Sequence, residues 1–381
     1  MSTKWLLPGI TPGGYMGRLA HARLHLASMN QGPGSGGDAG PEMASPSFAT
    51  FADAYLAVLS RVTHGHQYQT TTRGNTAREI LNASFTLRDP LNRSPYLEAR
   101  KANIVFNHAE VLWYLSGRDD LAMIAHYASR LRRFSGDGRR LSGSAYGPRL
   151  FRPGPDGTSQ FERVVPLLRD DSDTKRAVML VMQPGELADP ANPDVAYTLA
   201  LHLMLRGGAL HMTAHMRAND ALTGLLCDVF SFSFTFIQEH AARLLGVPVG
   251  TYTHHADSMH INLPDLPKAD AILREAERSG PPRFPAAPMP AGHPDDLSAV
   301  LEWEQALRLN QHAATPGIPD LAGLHPYWRQ IVALFEAHRQ ITRHHSRLVT
   351  PATLAALQPG HRWLLARRWP RNVRVGPGDR P

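Results

Sequence analysis

The stretch HMRANDALTGLLCDVFSFSF (residues 215–234), followed by GTYTHHADSMHIN (residues 250–262), holds the densest pattern of polar and aromatic residues in the chain. Just before it, two apolar runs at 199–205 and 210–216 flank Gly207 and Gly208. Paired glycines accept positive φ angles in a tight turn, so the two runs predict a β-hairpin.

The second strand of this predicted hairpin alternates between apolar and polar side chains, which is typical of a strand with one buried face. One face carries Leu210, Met212, Ala214 and Met216. The other carries His211, Thr213, His215 and Arg217. We interpret this polar row, which ends in an arginine, as the wall of a pocket.

Hydrophobic periodicity assigns the neighbouring elements. Helical spacing predicts a helix over 51–63 and a longer helical region over 101–134 that Gly117 interrupts. The continuous apolar run AVMLVM (177–182) predicts a buried strand. In VFSFSFTF (229–236) phenylalanines alternate with small hydroxyl residues, and this period of two alone favours a strand.

Composition limits the class of protein. The chain has 381 residues, 43% of them hydrophobic, which suffices for a large buried core. No apolar run reaches the length of a membrane span, and the first residues make a poor signal peptide, so we expect a soluble cytoplasmic protein. A single cysteine excludes a disulfide framework, and the net charge of +7 suits an anionic ligand.

Two other classes of function receive little support from the sequence. The 20 histidines include no H-E-x-x-H pattern, so we predict no metal site. The net positive charge is compatible with nucleic-acid binding. However, the sequence has no recognised nucleic-acid motif and no alternation of aromatic and basic residues.

The chain divides by composition into four parts. Residues 1–48 form an irregular Gly/Pro-rich arm, and residues 49–264 form the predicted catalytic core. Residues 265–328 are a Pro-rich insert with a short helix. Residues 329–381 are a helical segment that ends in a basic tail.

A set of short motifs occurs in the same order as in one known family. They are RGNT (73–76), EVLWYL (110–115), AYGPR (145–149), DTKR (173–176), RAND (217–220), GLLCD (224–228) and HIN (260–262). In this order the chain resembles the thymidylate synthase superfamily, especially its cytidylate hydroxymethylase branch. No single motif is specific, but the ordered set is.

The resemblance implies an α/β fold, in which a large mixed sheet is flanked by helices and pairs sheet to sheet in a homodimer. It also implies that 229–245 form one buried helix rather than a strand. The family uses 5,10-methylenetetrahydrofolate and a nucleoside monophosphate. We therefore expect transfer of a one-carbon unit, as hydroxymethyl rather than methyl, to the base of a pyrimidine nucleotide.

The resemblance also implies roles for individual residues. Glu110 would move protons, and Asp220 and Trp113 would contact the folate. The nucleotide would be held by Tyr146, His260 and Asn262 at the base or sugar, by Arg73 and Arg217 at the phosphate, and by Lys175 and Arg176 at the phosphate bound in the neighbouring subunit. Arginine suits this role because its planar fork matches phosphate oxygens.

Asp228 bears on the choice of base. Uracil-using members of the family carry Asn at this position. A carboxyl group accepts a hydrogen bond from the 4-amino group of cytosine, and when protonated it also donates to N3. Asp228 therefore favours a cytosine nucleotide, although an aspartate here can also cap the helix that follows.

The chain departs from the family at its nucleophile. The family's cysteine adds to C6 of the base and makes C5 nucleophilic, but Tyr197 stands at that position here. A tyrosine has an ordinary pKa near 10 and supplies little phenolate at neutral pH. The only cysteine, Cys227, falls where the family has an aromatic residue.

Three interpretations of this departure stay open. The base can be intrinsically nucleophilic and need no thiol. Alternatively, Cys227 or an activated Tyr197 replaces the missing cysteine. In the third, the protein binds nucleotide and folate without turnover and acts as a partner or regulatory protein.

Overall fold

The structure is a computed structural model that describes residues 45–72, 74–224, 231–291, 294–311, 321, 323–343 and 348–374. Its strands are β1 (Ser47–Phe48), β2 (Tyr68–Thr72), β3 (Asn75–Leu87), β4 (Val178–Leu180), β5 (Thr198–Arg206), β6 (Ala209–Asp220) and β7 (Val249–Asn262).

The α-helices of the described residues are α1 (Phe51–His64), α2 (Ile104–Leu115), α3 (Leu121–Tyr127), α4 (Gly147–Leu150), α5 (Gln160–Asp170), α6 (Ser231–Leu245), α7 (Leu266–Ser279), α8 (Pro294–Arg308), α9 (Pro326–Arg343), α10 (Pro351–Ala355) and α11 (Pro359–Arg368). Short 3-10 helices occur at Ser129–Phe134, Pro184–Leu187 and Leu263–Asp265.

The strands form one mixed sheet in the order β1-β3-β7-β6-β5-β4, with β2 paired to the first part of β3. The β6–β7 pair is parallel, whereas β3–β7, β5–β6 and β4–β5 are antiparallel. The α/β fold with a large mixed sheet and flanking helices is thus confirmed.

The predicted hairpin is present as β5 and β6. Arg206 pairs with Ala209 across the turn, and Gly207 and Gly208 have φ angles of 55° and 75°. These are the positive values that a two-residue turn between twisted strands requires. The even-numbered apolar face of β6 is fully buried from Leu210 to Met216, as the alternation predicted.

The helical predictions also agree with the structure. A helix covers Phe51–His64, where Thr50 and Asp53 form a reciprocal capping box at the N-terminus. The region predicted over 101–134 forms α2, α3 and a 3-10 helix, and the chain bends at Gly117, which has φ 66°.

The alternating phenylalanine segment is helical from Ser231 onward, so the period-two interpretation was wrong and the family resemblance was right. The physical reason is that α6 is buried on nearly every side. Phe234 and Ile237 are fully buried, and so are the polar side chains of Thr235 and Gln238. A helix without a solvent face has no amphipathic stripe, so its sequence gives no helical period.

The prediction of a fully buried strand over 177–182 needs correction. Strand β4 covers only Val178–Leu180, and while Met179 is buried, Val178 is 38% and Leu180 62% exposed. One face of the sheet packs against the helices, and the other is open in the single chain. Strand β4 therefore has one buried face and one exposed face.

The helices that follow the sheet pack onto its core. Helix α7 contacts α1, α9 contacts α2 and α8, and α11 contacts α2. The described residues after Ala44 group as one compact unit, so the division into core, insert and C-terminal segment stays a prediction. Residues 1–44 of the predicted arm lie outside the described ranges.

No helix among the described residues is both long and apolar enough to cross a membrane. The same residues contain no group of three His, Cys, Asp or Glu side chains that could hold a metal ion.

Candidate active site

The ends of strands β6 and β7 bring three predicted site residues together. Asp220 is in register with His260, and the N–H of Ala221 donates to the carbonyl of His260 at 2.7 Å. Asn262 lies two residues after His260, so both side chains are on the same face of β7. Its amide Nδ2 donates to Asp220 Oδ2 at 3.2 Å.

The two oxygens of Asp220 have different environments. Oδ1 accepts hydrogen bonds from the N–H groups of Leu222 at 2.9 Å and Thr223 at 2.6 Å, and from the Thr223 hydroxyl at 3.1 Å. Oδ2 has one donor among the described residues, Asn262. The turn after β6 thus fixes the carboxylate and leaves Oδ2 with capacity for a ligand N–H.

Tyr197, which the family resemblance predicts at the position of the cysteine, lies in the segment just before β5. The guanidinium of Arg217 donates from Nε to the carbonyl of Ala196 at 2.8 Å and from Nη2 to that of Val195 at 3.1 Å. It also lies over the ring of Tyr197, 4.8 Å from the centroid, which is a cation–π contact. Tyr197 is 40% exposed, so its ring borders solvent rather than the core.

Asp194, which sequence reasoning missed, ties this segment to the loop that leads into Tyr146. Its buried carboxylate accepts from the N–H groups of Ser142 and Gly143 at 2.8 Å and of Ser144 at 2.9 Å. A Cβ on Gly143 would lie 1.7 Å from the carbonyl oxygen of Asp194, so only glycine fits there. The two loops therefore form one rigid unit.

A second clamp reinforces this unit through a nearly buried ion pair. Arg149 Nη1 lies 2.5 Å from Glu186 Oε1, and Glu186 Oε2 accepts from the N–H of Ala196 at 2.6 Å. Arg149 Nη1 also donates to the carbonyl of Val181 at 2.6 Å. The arginine of the AYGPR motif thus supports the segment that carries Tyr197.

Glu110 and Tyr146 lie behind this segment. Glu110 is 3% exposed, and its Oε2 accepts from the Ser233 hydroxyl of α6 at 3.3 Å. One turn later on α2, the ring of Tyr114 stacks on that of Tyr146 with centroids 5.3 Å apart. The Tyr146 hydroxyl accepts from the N–H of Thr198 at 3.3 Å. Tyr114 and Tyr146 thus connect helix α2, which carries Glu110, to the Tyr197 segment.

Burial determines the protonation of the two tyrosines. It raises the pKa of Tyr146 above its ordinary value, against smaller opposing effects of hydrogen bonds from Thr198. Burial, followed by the nearby carboxylate of Glu110, raises the pKa of Tyr114 well above its usual range. Both phenols therefore stay protonated at neutral pH.

Other predicted residues lie apart from this cluster. Trp113 is 1% exposed and donates its indole N–H to the carbonyl of Asp120 at 3.2 Å, so it is a core residue without a free face. Lys175 and Arg176 are exposed beside β4, and Arg176 lies 4.0 Å from Asp171. Arg73, Cys227 and Asp228 lie outside the described residues.

The polar face of β6 is not a pocket wall along its length, contrary to the sequence interpretation. His211 is bound locally to Thr251 at 2.8 Å, and His215 is exposed. Only Arg217, at the end of the row, reaches the candidate site. The reason is that this face lies on the open side of the sheet, away from the helices.

A separate cavity has a volume of about 50 Å³. Arg93, Tyr96, His108, Phe232 and His361 are among the described residues that line it, and none of the predicted site residues does. Burial lowers the pKa of His108 to about 4 and that of His361 to about 3, so both are neutral at physiological pH.

The arrangement fits a folate and a nucleotide in its donor and acceptor chemistry. Asp220 Oδ2 can accept an N–H from a pterin ring, and the half-buried Arg217 offers positive charge at the end of β6. Glu110 supplies a buried carboxylate for proton transfer.

Comparison with solved structures supports the fold. Thermostable thymidylate synthase A from Bacillus subtilis superposes with a TM-score of 0.51 at 16% sequence identity, covering 62% of this chain and 87% of that one. At this identity the likeness concerns the fold alone.

Sequence comparison finds relatives in bacteriophages. Deoxyuridylate hydroxymethyltransferase of Bacillus phage SP01 is 33% identical over 208 residues, 51% of this chain and 52% of the relative. The protein of the same name from Delftia phage PhiW-14 is 28% identical over 239 residues, 60% of this chain and 65% of the relative. The chain thus spans about half to two thirds of the length of these relatives.

A putative thymidylate synthase of Methanothermobacter thermautotrophicus is 24% identical over 224 residues, 58% of this chain and 95% of the relative. The thymidylate synthase family model matches residues 53–289, which is more than half of the chain and contains every predicted site residue. The chain belongs to the thymidylate synthase family.

Proposed function

We propose that this protein transfers a one-carbon unit from 5,10-methylenetetrahydrofolate to the base of a pyrimidine nucleotide and releases a hydroxymethylated product. The observation that carries the proposal is that Tyr146, Tyr197 and Arg217 meet at the 195–198 segment, while Tyr114 joins Tyr146 to helix α2, which carries Glu110. The phage relatives named deoxyuridylate hydroxymethyltransferase favour hydroxymethyl over methyl.

The site residues each have a chemical task in this reaction. When bound, methylenetetrahydrofolate supplies an electrophilic one-carbon unit. Glu110 is the carboxylate that takes and returns protons as C5–H of the base is replaced and water adds its hydroxyl group. Asp220 orients the folate ring through Oδ2, and Arg217 holds the nucleotide phosphate beside the 195–197 segment.

The absence of a thiol at position 197 restricts how the base is activated. The ring of Tyr197 lies under the guanidinium of Arg217 and is bulkier than a cysteine side chain. The proposal therefore needs either a base whose ring carbon is nucleophilic without covalent addition or a nucleophile from another position. Cys227 stays the alternative nucleophile, and it lies outside the described residues.

The choice of base rests on sequence. Asp228 favours a cytosine nucleotide, because a carboxyl accepts from the 4-amino group. The phage relatives are named for a uracil nucleotide. We propose cytosine for this chain on the strength of Asp228.

The proposed assembly is a homodimer formed through the open face of the sheet. Exposed apolar side chains on that sheet, Leu81 at 44%, Val178 at 38% and Leu180 at 62%, support it. The side chain of Arg176 is 76% exposed, and in the proposed dimer it would exchange its 4.0 Å pairing with Asp171 for a partner's nucleotide. Light scattering after size-exclusion chromatography tests this, and a monomer at all concentrations would contradict it.

Mass spectrometry tests the reaction. The protein would be incubated with methylenetetrahydrofolate and CMP, dCMP, UMP, dUMP or 5-hydroxy-CMP, and products would be scored for an added CH₂O or CH₂. We expect CH₂O on a cytosine nucleotide, and loss of product in Glu110→Gln. Product only from 5-hydroxy-CMP would show that the base must be intrinsically nucleophilic, whereas product only from dUMP would overturn the assignment of cytosine.

A second candidate function is binding of nucleotide and folate without turnover, in a partner or regulatory protein. The observation that favours it is Tyr197 at the position of the nucleophile. It predicts nucleotide affinity in calorimetry together with no folate-dependent product from any base. Product from any nucleotide in the mass-spectrometric assay would exclude it.

A further inference from the structure

A serine of helix α6 meets Glu110 of helix α2 inside the protein. Ser233 is fully buried, and Glu110 is 3% exposed. The Ser233 hydroxyl donates to Glu110 Oε2 at 3.3 Å, although the two residues are 123 positions apart in the sequence. This bond ties the carboxylate that is assigned to proton transfer to a second helix.

The hydroxyl of Ser233 is not used by its own helix. Serine and threonine hydroxyls within a helix commonly bond to a carbonyl three or four residues earlier. Thr235 does so, because its hydroxyl donates to the carbonyl of Phe232 at 3.2 Å. Ser233, only two residues before it, donates across to α2 instead. The two hydroxyls of α6 therefore have different partners and different tasks.

The aromatic residues on either side of Ser233 fix its position. Phe232 packs edge-on against His108 of α2, with ring centroids 5.0 Å apart. Phe234 stacks against Tyr146, with centroids 6.2 Å apart. Both neighbours are thus held by the elements that surround Glu110. Since a serine side chain has a single rotatable heavy-atom torsion, this packing also fixes its hydroxyl oxygen.

The hydrogen bond favours the ionised form of a buried carboxyl group. Burial disfavours the negative charge, whereas a hydrogen bond donated to the carboxylate stabilises it. Tyr114, one turn later on α2, lies within reach of Glu110 and brings an uncharged phenol, because burial raises its pKa well above the usual range. Ser233 therefore offsets part of the cost of keeping a charge at this buried position.

Titratable groups on the helices around α2 have partners of their own. Helices α3, α4, α6, α9 and α11 contact α2. The pairs on these helices are His126 with His338, Tyr127 with Glu304, Arg149 with Glu186, Glu239 with Arg93, His240 with Phe161, Glu336 with Arg339, and His361 with His108.

We propose that Ser233 is a positioning residue that holds Oε2 of Glu110 and keeps this carboxylate ionised as the base of the reaction. The inference rests on the proposed function, in which Glu110 takes and returns protons. Ser233 lies outside the motifs that carry the family resemblance. The contact with α2 is the observation that assigns it to the site.

Infrared difference spectroscopy of the full chain tests this without turnover. The carboxyl C=O band would be followed against pH, and the band that disappears in Glu110→Gln belongs to Glu110. Ser233→Ala removes the donor, and alanine is a better helix former than serine, so α6 should persist. Thr235→Val is the matched control, because it removes another buried hydroxyl of α6 at similar volume.

We expect Ser233→Ala to move the titration midpoint of Glu110 upward by about one pH unit, the effect of losing one hydrogen bond to a charged group. The acid side of the kcat profile against pH should move upward by the same amount, with the KM of the nucleotide unchanged. Thr235→Val should leave the infrared midpoint where it is in the wild type.

The outcomes separate this inference from the proposed function. An unchanged infrared midpoint in Ser233→Ala would overturn the inference, and an equal shift in Thr235→Val would assign the effect to the packing of α6. A wild-type protein that forms no product would refute the proposed function, while the infrared shift would still decide whether Ser233 keeps Glu110 ionised. An infrared shift without a shift of the kcat profile would overturn the assignment of Glu110 as the base.

Discussion

The carboxylate of Asp194 makes the sharpest prediction about stability, because it joins the loop before Tyr146 to the segment before β5 by three backbone hydrogen bonds. The side chain is 5% exposed and accepts from residues 142, 143 and 144 at 2.8, 2.8 and 2.9 Å. Replacing it by alanine leaves these N–H groups without their acceptor.

The magnitude follows from the burial of the three donors. Ser142 is exposed, so water can replace its lost partner, whereas Gly143 is buried and Ser144 half-buried. Two hydrogen bonds to a charged acceptor, at about 1.5–2 kcal/mol each, predict that Asp194→Ala lowers the free energy of unfolding by about 3–4 kcal/mol. Asp194→Asn keeps one acceptor oxygen and should cost about half as much.

Urea unfolding followed by tryptophan fluorescence at pH 7 measures the effect. Asp189→Ala is the matched control, because Asp189 lies in the same loop, is exposed, and accepts one backbone N–H, from Ala191 at 2.8 Å. It should cost less than about 1 kcal/mol. If Asp194→Ala and Asp189→Ala unfold within about 1 kcal/mol of each other, the clamp does not contribute as argued.

Three further predictions concern the same region and the core. Gly143→Ala should destabilise the protein at least as much as Asp194→Ala, because the new Cβ would lie 1.7 Å from the Asp194 carbonyl oxygen. The midpoint of urea unfolding measures this effect, and a midpoint equal to that of the wild type would contradict it. Arg217→Lys loses the forked hydrogen bonds to the backbone near Ala196 and should weaken dCMP binding about tenfold in calorimetry, while equal affinity would exclude a role for Arg217. Burial lowers the pKa of His254 to about 3, below its unfolded value. The stability that the neutral His254 contributes is therefore fully present above about pH 6.5 and is lost as the pH falls toward 3, at up to about 1.4 kcal/mol per pH unit. His254→Phe should flatten the acid side of the curve of unfolding free energy against pH, and an unchanged slope would contradict this.

The β5–β6 hairpin and helix α1 could be predicted from the sequence because their signals are local. Gly207 and Gly208 fix the turn, and Thr50 with Asp53 starts the helix, each within a few residues. Helix α6 could not, because its faces are set by contacts with α2 and the sheet rather than by solvent. Its buried hydroxyl and amide side chains removed the helical period from the sequence.

The site was predictable only where a motif marks it. Glu110, Tyr146 and Arg217 were found through ordered motifs, and in the structure Tyr146 and Arg217 both contact the 195–198 segment. Asp194 was missed because its partners lie 50 to 52 residues earlier in the chain, a separation that leaves no local trace.

The effect of a tyrosine at position 197 on the structure is local, because the hydrogen bonds around this position involve the backbone. The N–H of Arg217 donates to the carbonyl of Tyr197 at 2.9 Å, the Arg217 side chain binds the two preceding carbonyls, and Tyr146 accepts from the N–H of Thr198. None of these bonds depends on which side chain position 197 carries. The scaffold can therefore keep its geometry whichever side chain stands at position 197.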